Sequence, residues 1–245
     1  TVGVPGEDRD SNSEIHYGRV AEIAIDIDAN EAYFADGYRN KRVAVIDVTT
    51  GALKRYWGAY GNTPDDSADV TYTPGEPGPQ QFRGPVHCAQ PSNDGLVYVC
   101  DRGADRVQVF RKDGTYVKEM VYNPATLNQG STWDIAFSKD ADQEFIYLAD
   151  GQNFKISVID RESMEVLYTF GQGGRQPGTF YAPHSVATDS EGNLCKPGEM
   201  DEERFGRLGG VLEKLFVRAF KDGWDDPDKR PTAGLWAEAL ASLKG

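Results

Sequence analysis

Apolar residues over most of the chain come in runs of about five, alternate with polar ones, and are cut by Gly, Asp and Asn. Three stretches repeat one scheme: EAYFADGYRNKRVAVIDVTTGALKRYW (31–57), LVYVCDRGADRVQVFRKDGTYVKEMV (96–121) and FIYLADGQNFKISVIDRESMEVLYTF (145–170). Each opens on a short strand that ends in Asp: Asp36, Asp101 or Asp150. A basic residue follows (Arg42, Arg106 or Lys155), then an alternating strand, a turn, and a fourth strand rich in aromatic and branched residues. Ahead of each unit lies a further apolar strand, VAEIAID, VHCAQ or WDIAF. The runs are too short and too often interrupted for helices. Four short strands recurring about every 45 residues are the mark of a β-propeller blade.

The class predicted is therefore mainly β, a partial propeller of about three and a half blades followed by a short helical segment. The repeated Asp residues are read as structural, accepting hydrogen bonds in the turn after the second strand, with the basic residue nearby. The organisation expected is an extension at 1–17, blades at 18–195 and a two-helix segment at 196–245. A Pro/Gly-rich insertion, 61–82, separates the first two units; a loop this long is functional or disordered. APHSVATDSEGNLC (182–195) begins a fourth unit, which Lys196, Pro197 and Gly198 interrupt. Beyond it, 201–223 and 226–245 carry apolar residues at helical spacing. An open arc of blades leaves an apolar face and unpaired strand edges. The helices, a second copy forming a homo-oligomer, or another partner would cover them.

The pattern G-x-x-Y-V-x-D … R-V-x-V-F … D-G resembles the NHL family of six-bladed propellers, most closely in DGLVYVCDRGADRVQVFRKDG (94–114), over roughly residues 18–194. GQGGRQPGTFYAPHSVATDSEGNL (171–194) is similar to that family's crossing between blades. The resemblance implies a fold that hosts binding, scaffolding and catalysis alike. It also favours a periplasmic or extracellular location. The tail, LEKLFVRAF and then DPDKRPTAGLW, resembles the last helices of a protein kinase C-lobe, where the Arg of R-P-T (here Arg230) anchors an acidic residue. The Gly-rich loop, H-R-D and D-F-G of a kinase are absent, which excludes that activity.

Composition narrows the partners. The net charge of −13 lies almost wholly before residue 196 and repels phosphate backbones, so no nucleic acid is expected. No apolar run reaches the roughly 18 residues of a membrane span. Three cysteines without C-x-x-C spacing suggest neither a disulfide framework nor a zinc ribbon. Cys100 is expected to face His87 across a hairpin if the turn is tight.

Candidate chemistry rests on the histidines. His87 and His184 each lie eight residues before a turn glycine, Gly95 or Gly192, at the start of a first strand. First strands line a propeller's channel, so the two imidazoles can meet on one metal ion. Counted instead from Pro85 and Pro183, they fall one residue out of register, which would turn one side chain away. Trp133 and Asp134 occupy a similar place in the intervening unit. The channel candidates are therefore His87, Trp133, Asp134 and His184.

Amidating lyases of this fold hold a catalytic zinc on inner-strand histidines. That resemblance would make His87 and His184 metal ligands and Asp134 a further ligand or base, with zinc or calcium as the divalent cofactor. The leading expectation is a non-catalytic module that binds a protein or small molecule through the channel face and the 61–82 loop. The alternative is a metal-dependent lyase or hydrolase.

Overall fold

The computed structural model describes residues 2–4, 10–176 and 179–188. The expected helices of 196–245, with Arg230, lie outside the described residues, as does the break after Cys195. Twelve described strands form three four-stranded antiparallel sheets, each a meander in chain order. The first holds β1 (Glu22–Asp26), β2 (Glu31–Asp36), β3 (Arg42–Asp47) and β4 (Leu53–Trp57). The second holds β5 (Val86–Pro91), β6 (Leu96–Asp101), β7 (Arg106–Arg111) and β8 (Tyr116–Val121). The third holds β9 (Asp134–Phe137), β10 (Phe145–Asp150), β11 (Lys155–Asp160) and β12 (Val166–Phe170). β5 packs against β1 and β2 on one side and β9 on the other. The three sheets are thus propeller blades with their first strands innermost.

Alternation of side chains builds the core between blades. Tyr33, Ala35, Val43, Val45 and Trp57 of the first blade meet Val97, Val99 and Phe110 of the second. The other face of the second blade, with Tyr98, Val107 and Val109, meets Ile135, Ile146 and Leu148 of the third. The outer face of the first blade buries Ala32, Phe34, Ala44 and Ile46 against Tyr17, Val20, Leu53 and Tyr56. The N-terminal segment is therefore packed on the blade rather than trailing from it.

The repeated carboxylates organise the chain that enters each blade. Asp36 accepts from the Gly18 amide (2.6 Å), Asn40 Nδ2 (2.8 Å) and Arg42 Nε (2.8 Å). Arg42 in turn donates to the carbonyls of Ser11, Ser13 and His16. Asp101 repeats this with the Arg83 and Gly84 amides and Arg106, whose guanidinium reaches the carbonyls of Pro79 and Gln81. In the third blade Lys155 is exposed, and Asn123 and Asn153 serve Asp150 instead.

The 61–82 insertion is held in place along its length. Its end buries Phe82, Asp66 accepts from the Ser11 amide and hydroxyl, and the Tyr72 hydroxyl donates to the Pro124 carbonyl.

The cysteine reading is corrected: Cys88 and Cys100 form a disulfide, with Cα atoms 4.8 Å apart. Cys100 faces Cys88, not His87, because β5 bulges between Val86 and Cys88 and shifts the register there. Spacing alone hid the pair, since cross-strand partners are set by hairpin register.

Two outcomes follow from this packing. Asp36→Ala leaves the buried Arg42 guanidinium without its counter-charge and should destabilise the protein by about 3–5 kcal/mol in denaturant unfolding. The double variant Cys88→Ser/Cys100→Ser opens a short loop and should lower stability by about 2–4 kcal/mol on the same measurement.

Candidate functional site

The turns after β2 and β6 and the starts of β5 and β9 share one end of the inner strands. Gly37 follows Asp36 and lies against the Val86 backbone, where an added Cβ would fall 2.1 Å from its nitrogen. That approach sets Tyr38 beside His87, with the hydroxyl 3.1 Å from Nε2. The Nδ1 of His87 lies 2.6 Å from the Trp133 carbonyl oxygen. A carbonyl only accepts, so Nδ1 carries the proton and Nε2 presents a lone pair to the Tyr38 hydroxyl. Burial, and next the Arg102 guanidinium, lower the His87 pKa to about 4. The imidazole is therefore neutral at neutral pH.

His184 reaches the same place. Its ring centroid is 4.6 Å from that of His87 and 5.2 Å from that of Trp133. The extra residue that puts the two histidines out of register in the sequence is absorbed by the β5 bulge. His184 is exposed, and its nitrogens meet no hydrogen-bond partner among the described residues. Trp133 is fixed by its Nε1 donating to the Gly130 carbonyl (2.8 Å). Gly151 leaves room for the indole, since a Cβ there would lie 2.5 Å from the ring.

Arg102 completes this mouth. It is 8% exposed, yet its Nε has no partner and no carboxylate pairs with it among the described residues. Its guanidinium lies 4.5 Å from the Trp133 ring centroid and 5.7 Å from that of Tyr38, whose hydroxyl it also engages. Burial lowers its pKa from the ordinary value, though a guanidinium stays charged. A buried, unpaired cation of this kind suits an anionic ligand group.

Asp134 faces elsewhere. Its carboxylate accepts from the Ile135 and Val186 amides (2.8 and 2.9 Å) and from Glu22. Glu22 on β1 also accepts from the Ala89 amide and from Gln90. Desolvation, joined by the Asp134 charge, raises the Glu22 pKa to about 8; desolvation raises that of Asp134 to about 6. At neutral pH Glu22 holds the proton and donates it to Asp134.

Glu22, Cys88 and Asp134 stand at equivalent places, each paired with the residue before a repeated Asp: Ala35, Cys100 or Ala149. Their ligand atoms lie within 4.8 Å of one another, but Cys88 is in the disulfide and offers no thiolate. Sequence reasoning missed Tyr38, Arg102 and Glu22. The signal for the first two was their place directly or nearly after a fixed Asp, in D-G-Y and D-R-G.

No family model matches the chain. It is similar to peptidyl-glycine alpha-amidating monooxygenase A of Xenopus laevis, at 24% identity over 195 residues, 78% of this chain and 18% of that protein. Its identity to the B form from the same organism is 30% over 117 residues, 47% of this chain and 11% of that protein. The chain thus spans under a fifth of the length of these curated relatives. Among solved structures it resembles Kuenenia stuttgartiensis hydrazine synthase (TM-score 0.49, 16% identity, 76% of this chain and 44% of that one). The RRP9 WD40 repeats give a TM-score of 0.44 at 11% identity, covering 64% of this chain and 40% of that one. No helix among the described residues is long and apolar enough to cross a membrane.

The Glu22 pKa is raised in the folded state, so its contribution to stability is full below the unfolded carboxyl pKa and is lost as pH rises towards about 8. Unfolding free energy should therefore fall from pH 5 to pH 8 more steeply in the wild type than in Glu22→Gln. Parallel pH profiles of chemical denaturation test this, and equal slopes would refute the shared proton.

Proposed function

We propose that these blades carry the mouth of a metal-dependent lyase site of the amidating type, on an NHL-like propeller. The observation that carries this reading is the meeting of two imidazoles, one on the inner strand β5 and one from the segment after the third blade, with His87 held neutral and its Nδ1 proton fixed by a carbonyl. That is how a protein orients a histidine to ligate through Nε2. His87 and His184 would hold the ion, and zinc suits imidazole donors. The similarity to the amidating monooxygenases over most of the chain supports the same reading. The Cys88–Cys100 disulfide supports a periplasmic or extracellular location.

The substrate class is a peptide ending in a hydroxylated glycine. When bound, the ion supplies Lewis-acid polarisation of the substrate hydroxyl oxygen. Arg102 anchors the terminal carboxylate through its unpaired donors. With Nε2 given to the ion, the Tyr38 hydroxyl beside Arg102 would relay the proton, taking it from the substrate hydroxyl as it passes its own to the leaving amide nitrogen. A C=O bond forms at that carbon as its bond to nitrogen breaks, and the electron pair goes to the amide nitrogen. The products are a peptide amide and an aldehyde acid, with no oxidant or reductant consumed. Trp133 walls the site and limits water. Asp134, engaged by backbone amides and by Glu22, has no part in this step.

Protein purified without chelator should contain zinc that is lost in His87→Ala/His184→Ala, as read by elemental analysis. With a hydroxyglycine-ended peptide, Tyr38→Phe should lower kcat by about 10²–10⁴-fold. Arg102→Met should act mainly on KM. Metal-free wild type with no cleavage would overturn the lyase and return the mouth to a binding role for small anions.

A further inference from the structure

We propose that the disulfide Cys88–Cys100 is a redox gate on a second metal site, separate from the imidazole pair and formed by Cys88, Glu22 and Asp134, which takes a thiophilic divalent cation. The proposal does not depend on the lyase reading.

Position comes first. The three residues occupy one equivalent place on successive inner strands, so the repeat itself brings them together. One ligand atom from each lies within 4.8 Å of the others. In a tetrahedral zinc site, neighbouring sulfur and oxygen donors are about 3.5 Å apart, so closing onto an ion needs shifts of about 1 Å.

Charge comes second. Two carboxyl groups are packed together here, and the partners of both are backbone amides, Gln90, Ser185 and each other. No lysine or arginine pairs with either among the described residues. Buried carboxyl pairs need a cation between them, and here only a proton fills that role.

Chemistry comes third. Oxidised, the Cys88 sulfur is bonded to Cys100 and is no useful donor. Reduction adds two electrons and two protons and yields two thiols. A dithiol supplies both and closes to its own disulfide; a phosphine becomes its oxide, the oxygen and protons coming from water. Cation binding then displaces the Cys88 thiol proton and the proton held between Glu22 and Asp134. One thiolate and two carboxylates make a set suited to zinc or cadmium, and poor for magnesium or calcium.

The test uses cadmium as probe in the His87→Ala/His184→Ala background, so that the imidazole site contributes nothing. Oxidised protein should show no thiolate-to-cadmium charge-transfer absorption. After reduction with a phosphine under native conditions, about one cadmium per chain should bind and the absorption should appear. Adding Cys100→Ser leaves Cys88 free and should give the band without reductant. Adding Cys88→Ser should abolish it in both redox states, and Glu22→Gln/Asp134→Asn should weaken binding at least about tenfold.

Reduced protein whose thiols titrate fully but which gives no band would overturn the proposal. A disulfide that resists the phosphine in the native state would also overturn it, since that gate does not open. If Cys100→Ser fails to fold, reduction of the background protein still decides.

Discussion

Two guanidinium groups almost wholly out of water hold the described chain together. Arg42 and Arg106 are 0% and 1% exposed, and each is paired with a buried Asp. A buried pair of this kind gains little net stability over an apolar substitute. Its value here is positional. Asp36 and Asp101 take the backbone amides just before their own inner strands, and the paired arginines take carbonyls from the segment that arrives there. Each pair ties one point of a sheet to the chain entering that sheet. These ties add to the apolar packing of Tyr17, Val20 and Phe82 and to the Ser11–Asp66 and Tyr72–Pro124 hydrogen bonds that hold the N-terminal segment and the 61–82 insertion.

The mouth inherits this geometry. With Asp36 pinned, the next two residues turn over the start of β5, and Gly37 allows the close approach that brings Tyr38 to His87. With Asp101 pinned, Arg102 is driven under Trp133 and Tyr38, where no carboxylate among the described residues pairs with it. The third blade departs from the pattern. Lys155 points outward and asparagines hold Asp150, while Gly151 makes room for the indole of Trp133. One structural rule repeated three times thus yields three different residues at the mouth: a phenol, a guanidinium and a gap filled by an aromatic ring.

Charge is segregated along the inner strands. At the mouth sit a neutral imidazole and a bare cation, and the Arg102 charge helps to keep His87 unprotonated. Beside the disulfide sits a carboxyl pair sharing a proton. Coulomb forces are strong at low dielectric, so these opposite environments favour different ligands: anions at the mouth, cations at the carboxyl pair. The overall negative charge of the chain says nothing of either site, because it belongs to the solvated surface.

The blade pattern was legible because it is local. Alternation, turn residues and the repeated Asp lie within a few residues of each other, and the three sheets follow them strand by strand. The place of His87 on a first strand was legible for the same reason, whereas Trp133 lies just before β9 and His184 lies in no described strand. The register conflict between the two histidines was legible too, but not its resolution, since a bulge in β5 absorbs the extra residue. The Cys88–Cys100 pair was misread because its partners are chosen by cross-strand register, not by spacing. Tyr38 and Arg102 were passed over although they follow a repeated Asp, because that Asp was read only as a turn residue, and nothing near Glu22 in the chain marks it as chemical. Sequence by itself determined the repeating four-strand unit and its innermost strand. Tertiary structure alone decided which side chains from different blades share a space, because that depends on how blades pack and where a bulge shifts the pleat.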